Sequence, residues 1–147
     1  VGDAAEITNL LYRYAELIDA ADFEGLGELL ADCSLLDGQT GAVLAAGAEP
    51  IRDFFAGGVI VHHDGTLRTK HVITNPLIEI AGDEATVRSM YTVLQATETL
   101  PLQVVIAGRY HDRLVRGASG WRFRERRYFA DLVGDLSRHL KMSPLLG

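Results

Sequence analysis

The sequence predicts an α+β fold in which N-terminal helices pack against an antiparallel sheet. Apolar residues recur with a helical period in the first third of the chain. The second half is made of long β-rich stretches joined by short turn signals. The two kinds of segment are grouped rather than alternating, which argues against repeated βαβ units.

The elements follow in order. From Ala4 to Ala20, apolar side chains recur at Ile7, Leu10, Leu11, Tyr14, Leu17 and Ile18, the rhythm of a helix with one buried face. Asp3 reads as its N-cap, with Glu6 completing a capping box. A second helix is expected from about Asp22 to Leu30, with Phe23, Leu26, Leu29 and Leu30 turned inward. Asp32 to Asp37 reads as a short strand closed by Gly38 and Gly41. Ala48 to Phe55 reads as a helix with Pro50 in its first turn, stopped by Gly57-Gly58. Four strands are then expected over Leu67–Ile80, Ala85–Thr97, Leu102–Val115 and Trp121–Asp131. Gly82-Asp83 and Gly117-Ala118-Ser119-Gly120 mark hairpins, and Pro101 marks the remaining break. Such strands form an antiparallel meander.

Alternation assigns the faces. Ala85, Val87, Ser89, Tyr91, Val93 and Gln95 share one face of their strand, and Thr86, Arg88, Met90, Thr92 and Leu94 the other. Neither face is uniformly charged, so both need cover: helices on one side, a second subunit on the other. A homo-oligomer, dimer or trimer, is therefore expected through the outer sheet face. The last strand carries Trp121 and Phe123 on one face and Arg122, Arg124 and Arg126 on the other if it runs without a bulge.

Composition bounds the function. At 147 residues and 48% hydrophobic, the chain is expected to form one domain, residues 1–147. No apolar run approaches the ~20 residues of a bilayer span, so no membrane association is expected. The acidic N-terminus, Val1-Gly2-Asp3-Ala4-Ala5-Glu6, does not read as a signal peptide. The lone cysteine, Cys33, fits a reducing compartment, and a cytoplasmic location is expected. A net charge of -6 disfavours nucleic acid, the Arg-rich run at 122–127 being the local exception.

Four segments resemble a known family. Tyr12-Arg13-Tyr14-Ala15-Glu16-Leu17-Ile18-Asp19-Ala20-Ala21-Asp22-Phe23, Thr69-Lys70-His71-Val72-Ile73-Thr74-Asn75-Pro76, Gly108-Arg109-Tyr110-His111-Asp112 and Gly120-Trp121-Arg122-Phe123 look like the SnoaL-like branch of the NTF2-like superfamily. The resemblance covers almost the whole chain. It implies an NTF2-like cone, a curved mixed or antiparallel sheet wrapped by N-terminal helices around a pocket. Within the superfamily the motifs are similar to those of scytalone dehydratase and of hexachlorocyclohexane dehydrochlorinase, which carry an Asp at the end of the first helix and a His early in the first long strand. The similarity implies that Asp19 and His71 form that pair, with His71 the general base and Asp19 orienting it. A carboxylate on one ring nitrogen fixes the tautomer and stabilises the imidazolium formed when the other nitrogen takes a proton. The chain departs from both relatives. Gln95 stands where scytalone dehydratase has a second histidine, its pocket tyrosines are lost beside Asp19 and Asp37, and Tyr14 stands where the dehydrochlorinase has a lysine. Arg126 matches that enzyme's last-strand arginine.

Each candidate has a competing role. Asp19 could cap the helix beginning near Asp22, and His71 could be a structural strand histidine. Tyr91 and Gln95 share a strand face and can both line a pocket, yet Tyr91 could equally be core. Phe55 and Trp121 read as packing residues that shape the cavity, Phe55 as part of the substrate-binding wall. The Arg122, Arg124, Arg126 and Arg127 cluster reads as a solvated or interfacial face from which Arg126 could reach substrate. His62 and His63 are adjacent and diverge, a poor metal site, and no metal or coenzyme is expected. Ser89 has no base partner in the sequence.

The expectation is thus a lyase or isomerase acting on a small hydrophobic, aromatic or polycyclic ligand. Asp19 and His71 are its catalytic pair, and Tyr14, Phe55, Tyr91, Gln95 and Arg126 its substrate-binding residues. The rivals are a ligand-binding domain without catalysis and a small assembly subunit similar to the β subunit of ring-hydroxylating dioxygenases, which shares this fold.

Overall fold

Three helices pack against one face of a six-stranded mixed sheet in the computed structural model, which describes residues 2–141. The helices are α1 (Asp3–Asp19), α2 (Phe23–Leu29) and α3 (Ala48–Gly58). The strands are β1 (Ser34–Asp37), β2 (Val43–Ala46), β3 (Thr69–Ala81), β4 (Glu84–Gln95), β5 (Gln103–Gly117) and β6 (Gly120–Val133). Their order across the sheet is β2-β1-β6-β5-β4-β3. The meander β3 to β6 is antiparallel, as expected. β1 runs parallel to β6, and this pairing makes the sheet mixed. Strand β2, only four residues long, was not foreseen.

The helix starts differ from expectation. Gly2, not Asp3, is the N-cap of α1, and no side chain caps it. The Asp3 carboxylate instead accepts from Trp121 Nε1 at 3.1 Å and Arg116 Nη1 at 2.8 Å. Glu6 accepts the Trp121 backbone N–H at 2.7 Å. The buried indole needs an acceptor for its N–H, so the capping acids are drawn onto the β5–β6 hairpin. Asp22 does cap α2, accepting from Gly25 N at 2.8 Å.

The inner face of β4 is the predicted one: Ala85, Val87, Ser89, Tyr91, Val93 and Gln95 are all buried. β6 is not regular. Glu125 opposes Arg113 and Phe123 opposes Leu114, so Arg124 is an extra residue. This bulge inverts the alternation as far as Ala130, beyond which a second extra residue, Asp131, restores it. Arg126 therefore shares the inner face with Trp121 and Phe123 and is fully buried, correcting its expected place on the opposite, solvated face. Its guanidinium forms a two-pronged ion pair with the equally buried Asp112, at 2.8 and 2.9 Å. Burial opposes the Arg126 charge, but Asp112 outweighs it and raises its pKa further. A further bulge in β3 occurs at Asn75-Pro76, on an edge strand where proline is tolerated. Bulges bend strands, and the core, with Ile7, Leu11, Leu26, Leu35, Tyr110 and Phe123, fills the space between the sheet and the helices. The outer face is half apolar, with Val72, Met90, Val104 and Leu132 each at least 40% exposed.

No helix among the described residues is long and apolar enough to cross a membrane.

Candidate active site

The end of α1 and the start of β3 meet at one carboxylate. Asp19 is the last residue of α1, and β3 begins alongside it. Thr69 and His71, two apart on a strand, point to the same side, and both reach Asp19. The carboxylate accepts from Thr69 Oγ1 at 2.8 Å, from the His71 backbone N–H at 3.0 Å and from His71 Nδ1 at 2.6 Å. A carboxylate at a helix C-terminus opposes the helix dipole; these donors offset that cost. The His71 and Asp19 side chains are only 7% and 17% exposed. Burial alone would raise the Asp19 pKa, but the His71 side-chain bond and charge, its backbone N–H and Thr69 hold it below the ordinary value. Asp19 does not cap α2, since Asp22 does.

An ionised carboxylate only accepts, so the His71 hydrogen belongs on Nδ1. Nε2 then keeps its lone pair, and it makes no hydrogen bond among the described residues. The imidazole lines a cavity of about 110 Å³ between the helices and the sheet. That is of the order of an engineered cavity of ~150 Å³ that takes up benzene. Ile18, Phe54, Phe55, Val59, Val93, Ile106 and Leu140 make its walls apolar. Its other polar groups are His139 and the tyrosines Tyr14, Tyr91, Tyr110 and Tyr128. The Tyr14 and Tyr128 hydroxyls lie 3.0 Å apart, while Tyr91 donates to the Phe129 carbonyl at 3.0 Å. Burial raises the pKa of all four phenols, which keeps them neutral donors at ordinary pH.

The structure gathers His71, Tyr14, Phe55 and Tyr91 around the cavity, with Asp19 bonded to His71. Gln95 and Arg126 do not line that cavity, although Gln95 shares an outer groove with Asp19 and His71. Gln95 is fully buried but spends its Nε2 on the carbonyls of Leu67 at 3.1 Å and Arg138 at 2.9 Å. Arg126 packs against the Tyr14 and Tyr110 rings, 4.4 and 3.8 Å from their centroids, without lining the cavity. Its Nε and Nη2 are committed to Asp112 beneath the aromatic rings. His62 bonds the Arg138 carbonyl at 2.9 Å and His63 faces Glu98 at 3.8 Å, so the adjacent imidazoles diverge. Among the described residues no group of three or more His, Cys, Asp or Glu could hold a metal ion.

Sequence reasoning missed Tyr110, Tyr128 and His139. The bulge at Arg124 puts Tyr128 inside, and a single extra residue leaves no mark in composition. His139 follows the last strand, in a stretch assigned to no element. Its one signal is the apolar spacing of Leu136 and Leu140 around it.

A family model described as a SnoaL-like domain matches residues 1–127. No curated protein matches the sequence. Among solved structures, a variant of Rv3472, a Mycobacterium tuberculosis protein of unknown function, superposes with a TM-score of 0.73 at 29% identity, over 88% of this chain and 72% of that one. An NTF2-like protein with a cystatin-like fold from Novosphingobium aromaticivorans gives 0.72 at 25% identity, over 86% and 80%. A protein of the same organism provisionally named a scytalone dehydratase gives 0.69 at 24% identity, over 88% and 84%. At that identity the last likeness is one of fold alone.

Proposed function

The chain belongs to the SnoaL-like domain family, and from that premise we propose that it is a lyase or isomerase that removes a proton from carbon in a small hydrophobic ring compound. The observation that carries the proposal is the 2.6 Å contact between Asp19 and His71 Nδ1 at the wall of an apolar cavity. In the proposed reaction His71 Nε2 takes the proton, and the Asp19 charge stabilises the imidazolium. The Tyr14–Tyr128 hydroxyl pair has one hydrogen not used between its members. It can assist a leaving hydroxide or halide, or bind a substrate oxygen. His71 then returns the proton to a different carbon in an isomerisation, or releases it to solvent after an elimination. These steps use side chains only. Tyr14, Phe55 and Tyr91 shape the binding wall. A second copy of the chain on the half-apolar outer face belongs to the same proposal.

The test is deuterium uptake in heavy water, followed by NMR, from three single-ring compounds with an activated C–H: cyclohexanone, nitrocyclohexane and a chlorinated cyclohexane. The wild-type protein should accelerate exchange or elimination of at least one, and His71→Ala should lose the acceleration. Equal rates with the two proteins would leave a binding domain without catalysis.

A further inference from the structure

We propose that His139 is a further catalytic residue of this cavity, a neutral hydrogen-bond donor to a substrate oxygen conjugated with the carbon that His71 deprotonates. This rests on the acid–base reading of His71 and adds to it a residue outside the stretch that the family match covers, residues 1–127.

Geometry carries the inference. The His139 ring is 5% exposed, lines the cavity, and lies edge-on to His71 with centroids 5.9 Å apart and planes at 66°. Two imidazoles so placed can reach neighbouring atoms of one small molecule. A histidine kept only for packing would satisfy its ring. Here neither ring nitrogen has a hydrogen-bond partner among the described residues, and Nδ1 is sealed from solvent. A buried N–H without a partner is rarer than an under-satisfied acceptor. The hydrogen therefore belongs on Nε2, and Nδ1 is left as the bare acceptor. Nε2 is then the nitrogen that can serve the cavity, and it serves it as a donor.

The backbone that carries the ring is also held in place. The Arg138 carbonyl just before it receives hydrogen bonds from Gln95 Nε2 and His62 Nε2, both at 2.9 Å. The His139 carbonyl accepts Ile60 N–H at 2.8 Å, and Leu140 bridges to Val59. Gln95, read from the sequence as a ligand contact, is thus a positioning residue for the segment that carries His139. Burial first, and the nearby His71 charge second, lower the His139 pKa to about 3, so it stays neutral when His71 becomes charged. A neutral imidazole aimed at a carbonyl oxygen is an effective electrophile.

The step balances within the site. His71 Nε2 takes the proton. The C–H electron pair becomes a C=C bond, and the carbonyl π pair moves onto oxygen, where the His139 N–H bond strengthens as negative charge grows. Reversal at another carbon gives an isomer, and expulsion of a β substituent gives an unsaturated product. A halogenated ring without oxygen makes no use of His139.

The test is carbonyl infrared spectroscopy of carbon-13-labelled cyclohexanone bound to the full chain, which needs no turnover. The wild-type protein and His71→Ala should both shift the C=O stretch to lower frequency, and His139→Leu should lose the shift. Deuterium exchange into cyclohexanone should fall about 10²-fold or more in His139→Leu. A shift that survives in His139→Leu, or no shift in the wild type, overturns the proposal. Side-chain nitrogen-15 NMR of the wild type is independent of whether the variant folds. A His139 hydrogen on Nδ1 at neutral pH also overturns the proposal. If the shift depends on His139 while His71→Ala exchanges as fast as wild type, the base assignment falls and the donor assignment stands.

Discussion

Replacing Asp19 by Asn removes the charge and keeps the size of the side chain. The carboxylate accepts from the Thr69 hydroxyl, the His71 backbone N–H and His71 Nδ1 at 2.8, 3.0 and 2.6 Å. An amide has one accepting oxygen and one donating nitrogen. The backbone N–H lies 3.0 Å from Oδ2 and 3.2 Å from Oδ1 and cannot turn away. An amide nitrogen at the nearer place would set donor against donor. The amide oxygen therefore takes the Oδ2 place, and the amide nitrogen takes the Oδ1 place facing Thr69 and Nδ1. The hydroxyl can rotate to accept. The imidazole cannot keep its hydrogen on Nδ1 and must carry it on Nε2, where the base needs its lone pair. The same carboxylate-to-amide reversal costs about 10⁴ in kcat in a Ser-His-Asp triad, equivalent to ~5.4 kcal/mol of barrier. We expect a loss of about 10³-fold or more here. Stability should fall by only about 1–2 kcal/mol, because the bonds are exchanged rather than left unmade. Deuterium uptake measures the rate, nitrogen-15 NMR the tautomer, and urea unfolding the stability. A folded Asp19→Asn protein exchanging within tenfold of wild type would refute the reasoning.

Other outcomes follow from the same geometry. Arg126→Met leaves Asp112 buried without its partner and should cost about 3–5 kcal/mol in urea unfolding, with much of the loss recovered when Asp112→Leu is added. A Cβ on Gly108 would collide with the Phe129 carbonyl oxygen and the Tyr91 hydroxyl. Gly108→Ala should therefore destabilise by about 3 kcal/mol, visible as a fall in Tm. Stability should also depend on pH through His139, which folds neutral with a pKa lowered to about 3 from an ordinary 6.5. Between those values the unfolded chain binds the proton and the folded chain does not. Its contribution is therefore complete above about pH 6.5 and is lost as pH falls, by up to ~1.4 kcal/mol per pH unit. His111, also lowered by burial, acts in the same direction, so His139→Leu should flatten the slope between pH 6 and 4 without abolishing it.

The Asp19–His71 pair was legible because each half has a local signature. Asp19 closes a periodic helix, His71 lies early in a long strand, and the family resemblance joins them. Tyr14, Phe55 and Tyr91 were legible from periodicity, since each lies on the apolar face of its own element and the cavity opens between those faces. Gln95 was read correctly as inward-facing, but the structure places it off the cavity wall with its Nε2 bonded to main-chain carbonyls. Its partner, the Arg138 carbonyl, is 43 residues away. Asp3 and Glu6 looked like capping residues until Trp121, more than a hundred positions later, claimed both carboxylates.

Periodicity and the order of segments were enough to determine the α+β class, the meander and the inner face of β4, because burial repeats every 3.6 residues on a helix and every two on a strand. Only the tertiary structure decided which polar groups surround the cavity. One unpaired residue at Arg124 inverts β6 as far as Ala130, taking Arg126 into the core beside Asp112 and Tyr128 to the cavity wall. Backbone bonds to residues 58–60 bring His139 opposite His71. Both depend on hydrogen-bond register between distant segments, a property that no single segment carries in its own composition.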